Sequence, residues 1–229
     1  MHRRYFSEFL NYGIAIVLIF ALLTSIGLIM HFFKRDDNLI GIMIIIIYIF
    51  LMIVCIKYKN KFSQLINFSN KKIIIYILAV TFILRLLWVI FIPTQPTSDF
   101  GLMYEYAREV AEGSYYGFKG DAYFARFAHD IVTVLYFSLF HHITDNPLLM
   151  IKFLNAILGT TTVYLIYIII EETIGRKSAL VGSVILALFP SSIMYTSQTM
   201  SENIAIPLYL LGIYMFIKGI KQEKKLNIF

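Results

Sequence analysis

The chain has 229 residues, of which 59% are hydrophobic, 16% aromatic and only 15% charged. Soluble domains carry about 25% charged residues. The Ile-rich runs here exceed the ~18 residues that mark a membrane crossing, so a soluble globular domain is excluded. The net charge of +6 does not indicate nucleic acid, because Lys and Arg stand at the ends of apolar runs and form no basic stripe.

Cys55 is the single cysteine, which excludes an intrachain disulfide and a cysteine metal cluster. The five His show no HxH or HxxxH spacing. His141 and His142 would point about 100° apart on a helix, a poor metal pair. No metal and no other cofactor is expected.

Met1-His-Arg-Arg4 precedes an apolar run from Tyr12 to Phe33. It is longer than the ~7–15 residues of a secretory h-region, so it is read as an uncleaved anchor. Lys34–Asn38 is a short turn, and a second run covers Leu39–Ile56. A basic loop, Lys57–Lys72, leads to a third run, Ile73–Ile92. The long polar loop Pro93–Asn146 follows, then a fourth run, Pro147–Ile170. Glu171–Lys177 links it to a fifth, Ala179–Thr196. Ser197–Glu202 is a tight link to a sixth, Asn203–Ile217, and the tail from Lys218 is basic.

Ile131–Ile143 is apolar but spans only about 20 Å as a helix, against a hydrocarbon core of about 30 Å. It is read as a helix lying at the membrane surface. The positive-inside rule supports this. With six crossings and a cytoplasmic N-terminus, Arg3, Arg4, Lys57–Lys72, Arg176, Lys177 and the basic tail all fall inside. A crossing at Ile131–Ile143 would put Arg176, Lys177 and the tail outside.

The expected fold is therefore an all-α polytopic membrane protein. It has six transmembrane helices plus amphipathic interfacial helices in the first large extracytoplasmic loop, 93–146. Residues 1–72 form two N-terminal crossings and a basic cytoplasmic loop, 73–217 the main transmembrane module, and 218–229 a cytoplasmic tail. The location is the cell membrane, with both termini cytoplasmic.

Inside the long loop, Ser98 or Asp99 can cap a helix that runs to Glu112 and stops at Gly113. Phe100, Met103, Ala107, Val110 and Ala111 form its apolar stripe, and Glu105, Arg108 and Glu112 face away. Tyr115–Phe124 is turn-rich and aromatic, suited either to stacking on a sugar or to an interfacial aromatic belt.

The chemistry-bearing candidates cluster by position. Asp99 follows the third run and can act as a general base toward an acceptor hydroxyl, or serve as an N-cap. Glu202 stands in a short link that needs no charge, and is read either as a second site carboxylate or as a solvated helix-terminal acid. Arg85 lies inside the third run, where a charge costs at least ~2.5 kcal/mol, so it needs an anionic partner or a polar cavity. Arg126, His129 and Asp130 precede the surface helix, as does Asp121. Arg126 can meet a phosphate and His129 can carry a proton, or all can be solvated loop residues. Tyr195, Ser197 and Asn155 are read as packing or interhelical hydrogen bonds.

The order of these features resembles the polytopic glycosyltransferases of the GT-C type. It is most similar to bacterial relatives of the protein mannosyltransferases and of the aminoarabinose and lipopolysaccharide-core transferases. The residues that carry the resemblance are Arg85, Ser98-Asp99-Phe-x-x-x-Tyr104-x-x-Ala107, the amphipathic helix at Ile131–Phe140, Lys152-x-x-Asn155-x-x-x-Gly159, Gly175-Arg176, Ala187-x-x-Pro190 and Ser197-x-x-x-Ser201-Glu202. They cover about Ile73 to Ile217. The usual His-Pro-Pro before the surface helix is replaced by Arg126-Phe-Ala-His129-Asp130. Family members continue for several further crossings, so the chain is expected to be the front part of such an enzyme.

The resemblance implies Asp99 as the base or acceptor-orienting carboxylate and Glu202 as a second acidic residue lining the site. With Arg85, Tyr104, Arg126, His129 and Asp130 as substrate-binding residues, the expectation is an inverting transferase. It would move a sugar from a polyprenyl-phosphate donor to a hydroxyl of a glycan, lipid or protein acceptor, with no nucleic-acid partner. The competing expectation is a non-catalytic multi-pass protein, transporter-like or an accessory subunit of envelope polysaccharide assembly. A transporter would show broken helices and paired polar groups near the midplane.

Overall fold

The computed structural model describes residues 72–226, with side chains through Gln222. The predicted crossings at 12–33 and 39–56, and the basic loop up to residue 71, lie outside the described residues. Everything regular among the described residues is helical.

The first helix, α1 (Ile73–Phe91), has 19 residues. Its buried positions are Thr81, Arg85 and Val89, spaced four apart on one seam. Its exposed positions are Ile75, Val80, Ile83, Leu87 and Ile90. Polar inside and apolar outside is the wrong arrangement for water and the right one for lipid. The helix stops at Ile92 because residue 93 is proline, which excludes the α conformation at the preceding position.

The fourth predicted run forms α5 (Pro147–Thr173), 27 residues long. It starts as its sequence dictates: Pro147 occupies the first turn, where no N–H is needed, and the Asn146 side chain accepts from the Leu149 N–H at 3.2 Å. The last crossing, α8 (Glu202–Leu226), is longer than the predicted 203–217, and Glu202–Gln222 is apolar enough to cross. Pro207 lies inside it without ending it.

The fifth run departs from expectation. It forms α6 (Arg176–Ala187) and a short α7 (Pro190–Met194) that continues into the 3-10 turn Tyr195–Ser197. The two parts are bent by 59°. Pro190 is the cause: Phe189 takes an extended conformation at φ −68°, ψ 114°, as the residue before proline must. Among the described residues three unbroken helices are long and apolar enough to cross, and this bent pair has the composition of a broken span or a re-entrant loop. The protein is a polytopic helical membrane protein.

The loop between α1 and α5 is a small packed module. It holds α2 (Ser98–Ala111), a 3-10 turn at Tyr116–Phe118, the single-turn α3 (Tyr123–Arg126), a 3-10 turn at Ala128–Asp130, and α4 (Ile131–Ile143). α2 ends as predicted, with Gly113 at φ +90° just past it. Its start differs: Thr97 occupies the cap position without a side-chain bond, so neither Ser98 nor Asp99 is the cap.

α2 packs on α4 around Met103, Tyr106, Ala107, Val110, Phe124, Val134, Phe137 and Phe140, and Ile151 of α5 closes the cluster from below. Full burial of each such large side chain stabilises by about 1.5–3 kcal/mol. α4 leaves Val132, Leu135, Leu139 and Ile143 exposed along one stripe and buries Thr133 and Ser138. Its helical span agrees with the surface helix predicted, and its apolar stripe points outward, as an interfacial helix requires.

The aromatic run predicted at Tyr115–Phe124 divides: Phe124 is buried in the core with Phe118 and Tyr123 packed against it, while Tyr115 and Tyr116 are exposed. Tyr106 stacks on Phe124 at 5.0 Å and meets Phe118 edge-on at 5.2 Å. The Tyr106 hydroxyl accepts from the Gly117 N–H at 2.5 Å. Gly117 is needed for close approach, since a Cβ there would lie 2.5 Å from the Tyr106 ring. Replacing Tyr106 with Phe strands that N–H, at an expected cost of about 1–3 kcal/mol. Faster amide exchange at residues 115–119 in the variant, read by hydrogen–deuterium exchange, checks this. Only Tyr115 and Tyr116 remain broadly exposed in the run, together with the turn residues between them and Asp121.

Candidate active site at the loop end of the bundle

Five elements converge where α1 ends and α5 and α8 begin. The segment 92–97 joins α1 to α2 and is extended, because Pro93 and Pro96 cannot supply the N–H groups of a helix. Thr94 in this segment donates to the Ser197 carbonyl at 2.9 Å and accepts from Lys152 Nζ at 2.5 Å. Trp88 Nε1 donates to Ser197 Oγ at 3.3 Å. Asn155 Nδ2 donates to the carbonyls of Thr196 and Gln198 at 3.2 and 2.9 Å. Thr199 Oγ1 donates to the Phe100 carbonyl at 3.0 Å. The Thr94 and Asn155 bonds satisfy backbone carbonyls at Thr196, Ser197 and Gln198, where the chain is irregular.

Asp99 and Glu202 are placed by this network. Asp99 is exposed in the first turn of α2, one residue before Phe100. Glu202 is exposed in the first turn of α8, three residues after Thr199, and accepts from Ser201 Oγ at 3.2 Å. The Thr199–Phe100 bond ties their two segments together at one end of the bundle. Just before Asp99, Ser98 is held at φ +52°, a left-handed conformation that costs an L-residue roughly 1–2 kcal/mol. Such strain persists only where the surroundings over-determine the backbone.

Asp99 is joined by a residue the sequence did not flag. Asp99 and Asp130 both lie close enough to act on the Tyr123 hydroxyl. Partial burial, then Asp99, then the charge of Asp130, push the Tyr123 hydroxyl up. The Tyr123 ring is held by Phe127 at 4.7 Å and by Phe124 edge-on at 5.1 Å. Tyr123 thus stands near carboxylates from two different elements. Nothing in its sequence spacing distinguishes it from its aromatic neighbours.

The remaining predicted residues divide. Asp130 is buried beneath the start of α4 and lies 3.6 Å from His129 Nε2, whose side chain is exposed. Arg126 is exposed and pairs with the fully exposed Asp121 at 3.7 Å. Tyr104 lies elsewhere, its ring 5.1 Å from His141 across the α2–α4 interface.

Arg85 is 1% exposed. Its Nη2 donates to Ser192 Oγ at 2.7 Å and its Nη1 reaches the Thr81 carbonyl at 3.5 Å, while Nε has no hydrogen-bond partner. Gly159 covers Nε so closely that a Cβ there would lie 2.6 Å away. The guanidinium therefore joins α1, α5 and the bent α6–α7 pair and is closed to solvent.

Residues 128–228 match the family described as dolichyl-phosphate-mannose-protein mannosyltransferase. This segment is GT-C-like. The match covers under half of the chain and takes in His129, Asp130, Lys152, Asn155, Gly159 and Glu202. Asp99, Tyr104, Arg126 and Arg85 precede it. No match was found among curated proteins or solved structures. The matched residues take in α4 to α8.

His141 contributes a pH dependence. Burial pushes its pKa below the usual histidine value, and Arg108 and His142 add to this, against Glu105 and Glu112. The folded state then binds its proton less well than the unfolded chain does. Stability from this group is fully present above the unfolded value of about 6.5 and is lost as pH falls below it. His141→Gln should flatten the fall in Tm between pH 7.5 and 5, measured in detergent.

Proposed function

We propose that the chain is part of a membrane glycosyltransferase that moves a sugar from a polyprenyl-phosphate donor to an acceptor hydroxyl, by inversion. The observation that carries this reading is the Thr199–Phe100 bond, which ties the Asp99 segment to the link that presents Glu202 at the loop end of a GT-C-like bundle, with Tyr123 and Asp130 near Asp99. The distribution of Lys and Arg puts this end on the extracytoplasmic face.

In the proposed reaction the donor chain lies in lipid and its phosphate reaches the interface. Asp99 takes the proton of the acceptor hydroxyl as its oxygen bonds to the sugar C1. The C1–O bond to phosphate breaks, and polyprenyl phosphate leaves with the electron pair. Inversion follows from attack opposite the leaving phosphate. Glu202 orients the acceptor or the sugar from the facing link. Arg126, which is exposed, is the cation offered to the leaving phosphate, where stabilising the developing charge is worth several kcal/mol, and the exposed His129 can donate a hydrogen bond beside it. Arg85 meets a phosphate only if the Ser192 contact opens. Tyr104 belongs to the α2–α4 packing that supports the acceptor side.

The transporter-like reading draws on one observation, the break at Leu188–Phe189. Its neighbouring cation, Arg85, is however enclosed by Ser192, Thr81 and Gly159, with no open cavity beside it. Transfer of labelled sugar from a polyprenyl-phosphate donor to hydroxyl acceptors in membranes carrying the chain, against an Asp99→Asn control, tests the proposal.

A further inference from the structure

We propose that Lys152 is a positioning residue: through the Thr94 carbonyl it holds the proline-bracketed segment 92–97, and with it the Asp99 turn, against the Ser197–Glu202 link. Its consequence for turnover rests on the glycosyltransferase reading; the structural clamp does not.

A lysine in the second turn of a membrane helix is costly unless it is partnered, and Lys152 is 5% exposed. Its hydrogen-bond acceptor here is the Thr94 carbonyl, not a carboxylate. That choice of partner is informative. A carboxylate could anchor the lysine anywhere on the loop, whereas a backbone carbonyl anchors one point of one segment. The segment needs such an anchor. Between its two helix-capping ends, residues 93–96 make no backbone–backbone bonds, so their place is set by side chains from other elements.

Thr94 is gripped from two sides, by Lys152 on its carbonyl and by the Ser197 carbonyl on its hydroxyl. Four residues later the backbone enters the left-handed Ser98, and Phe100, next to Asp99, is gripped again by Thr199. Asp99 is thus pinned on both sides, directly after a residue held in a disfavoured conformation. Asn155, one turn along α5 from Lys152, holds the other partner, the Thr196–Gln198 backbone. One face of α5 therefore sets the position of both carboxylate-bearing segments.

The test uses the full chain in lipid bilayers, in a Cys55→Ser background, with nitroxide labels on cysteines introduced at Gln95 and Ser201. Pulsed EPR reads the distance distribution between them. The expected result is a narrow distribution in the background, one at least about twice as broad in Lys152→Met, and recovery in Lys152→Arg, which keeps a donor for the carbonyl. Thr94→Val, which keeps the carbonyl and loses only the hydroxyl bond to Ser197, should fall between. If Lys152→Met does not fold, Thr94→Val carries the measurement.

In parallel, transfer from polyprenyl-phosphate mannose should lose about 10- to 100-fold in kcat in Lys152→Met with KM little changed, as misplacement of a base by about 1 Å would produce. Lys152→Arg should recover most of it. An unchanged, narrow distribution in Lys152→Met or Thr94→Val overturns the clamp. If Asp99→Asn leaves turnover intact while Lys152→Met broadens the distribution, the glycosyltransferase reading fails and the clamp stands.

Discussion

Asp99→Asn is expected to lower sugar transfer from a polyprenyl-phosphate donor by about 10²- to 10⁴-fold, the usual contribution of a positioned general base. The substitution keeps the shape of the side chain and removes its basicity. Asp99 is exposed, makes no cap bond and contributes no apolar packing, so the variant should fold and insert like the parent. An amide oxygen can accept a hydrogen bond as a carboxylate does, which keeps the local geometry in place. A fall in kcat at constant donor KM identifies the carboxylate as the group that takes the proton. Unchanged turnover, with equal amounts of folded protein in the membrane, would sink the assignment.

The largest expected effect on stability comes from Gly159→Ala. The added methyl would sit 2.6 Å from Arg85 Nε and 3.1 Å from its Cδ. Neither neighbour has room to give, because the guanidinium is tied to Ser192 and the Arg85 side chain is fully enclosed. Overpacking of this kind costs about 1–3 kcal/mol. Arg85→Met alone should cost much less, since a buried cation without a carboxylate partner is replaced by an apolar chain of similar length. The double variant should then recover most of the loss, with a coupling energy of about 0.5–3 kcal/mol. Reversible unfolding in bicelles, or Tm in detergent, measures the cycle. Additive losses would show that Gly159 and Arg85 do not press on each other.

Much of the scaffold was legible because it depends on local rules. Four of the predicted crossings fall among the described residues: the third and fourth appear as helices near their predicted bounds, the fifth as a bent pair of helices, and the sixth as a helix that runs past its predicted end. The helix at Ile131–Ile143 appears at its predicted bounds, and its 13 residues do not reach across a bilayer. Gly113 and Pro147 mark a helix end and a helix start for reasons visible one residue at a time. The bend at Pro190 was also written in the sequence. It was missed because the apolar run continues through it, and hydropathy does not register a missing N–H.

The candidate site was legible in its positions and not in its partners. Asp99 and Glu202 stood out as carboxylates at the edges of apolar runs. That their segments meet is decided by Thr199, Thr94 and Asn155, which reach carbonyls about 40 to 100 residues away in the chain. Tyr123 beside Asp99, and Tyr104 turned to His141 instead, follow from how α2 rolls against α4.

Composition, run length and the placement of charges were enough to establish a helical membrane protein with a structured polar loop, because the bilayer constrains each segment separately. Only the tertiary structure decided that Arg85 is a sealed joint, that Lys152 holds a carbonyl, and that Asp99 follows the strained Ser98 and lies near Tyr123. Those outcomes depend on which buried donor meets which unpaired acceptor. Such pairings are set by the packing of all the helices at once, and no single stretch of sequence carries them.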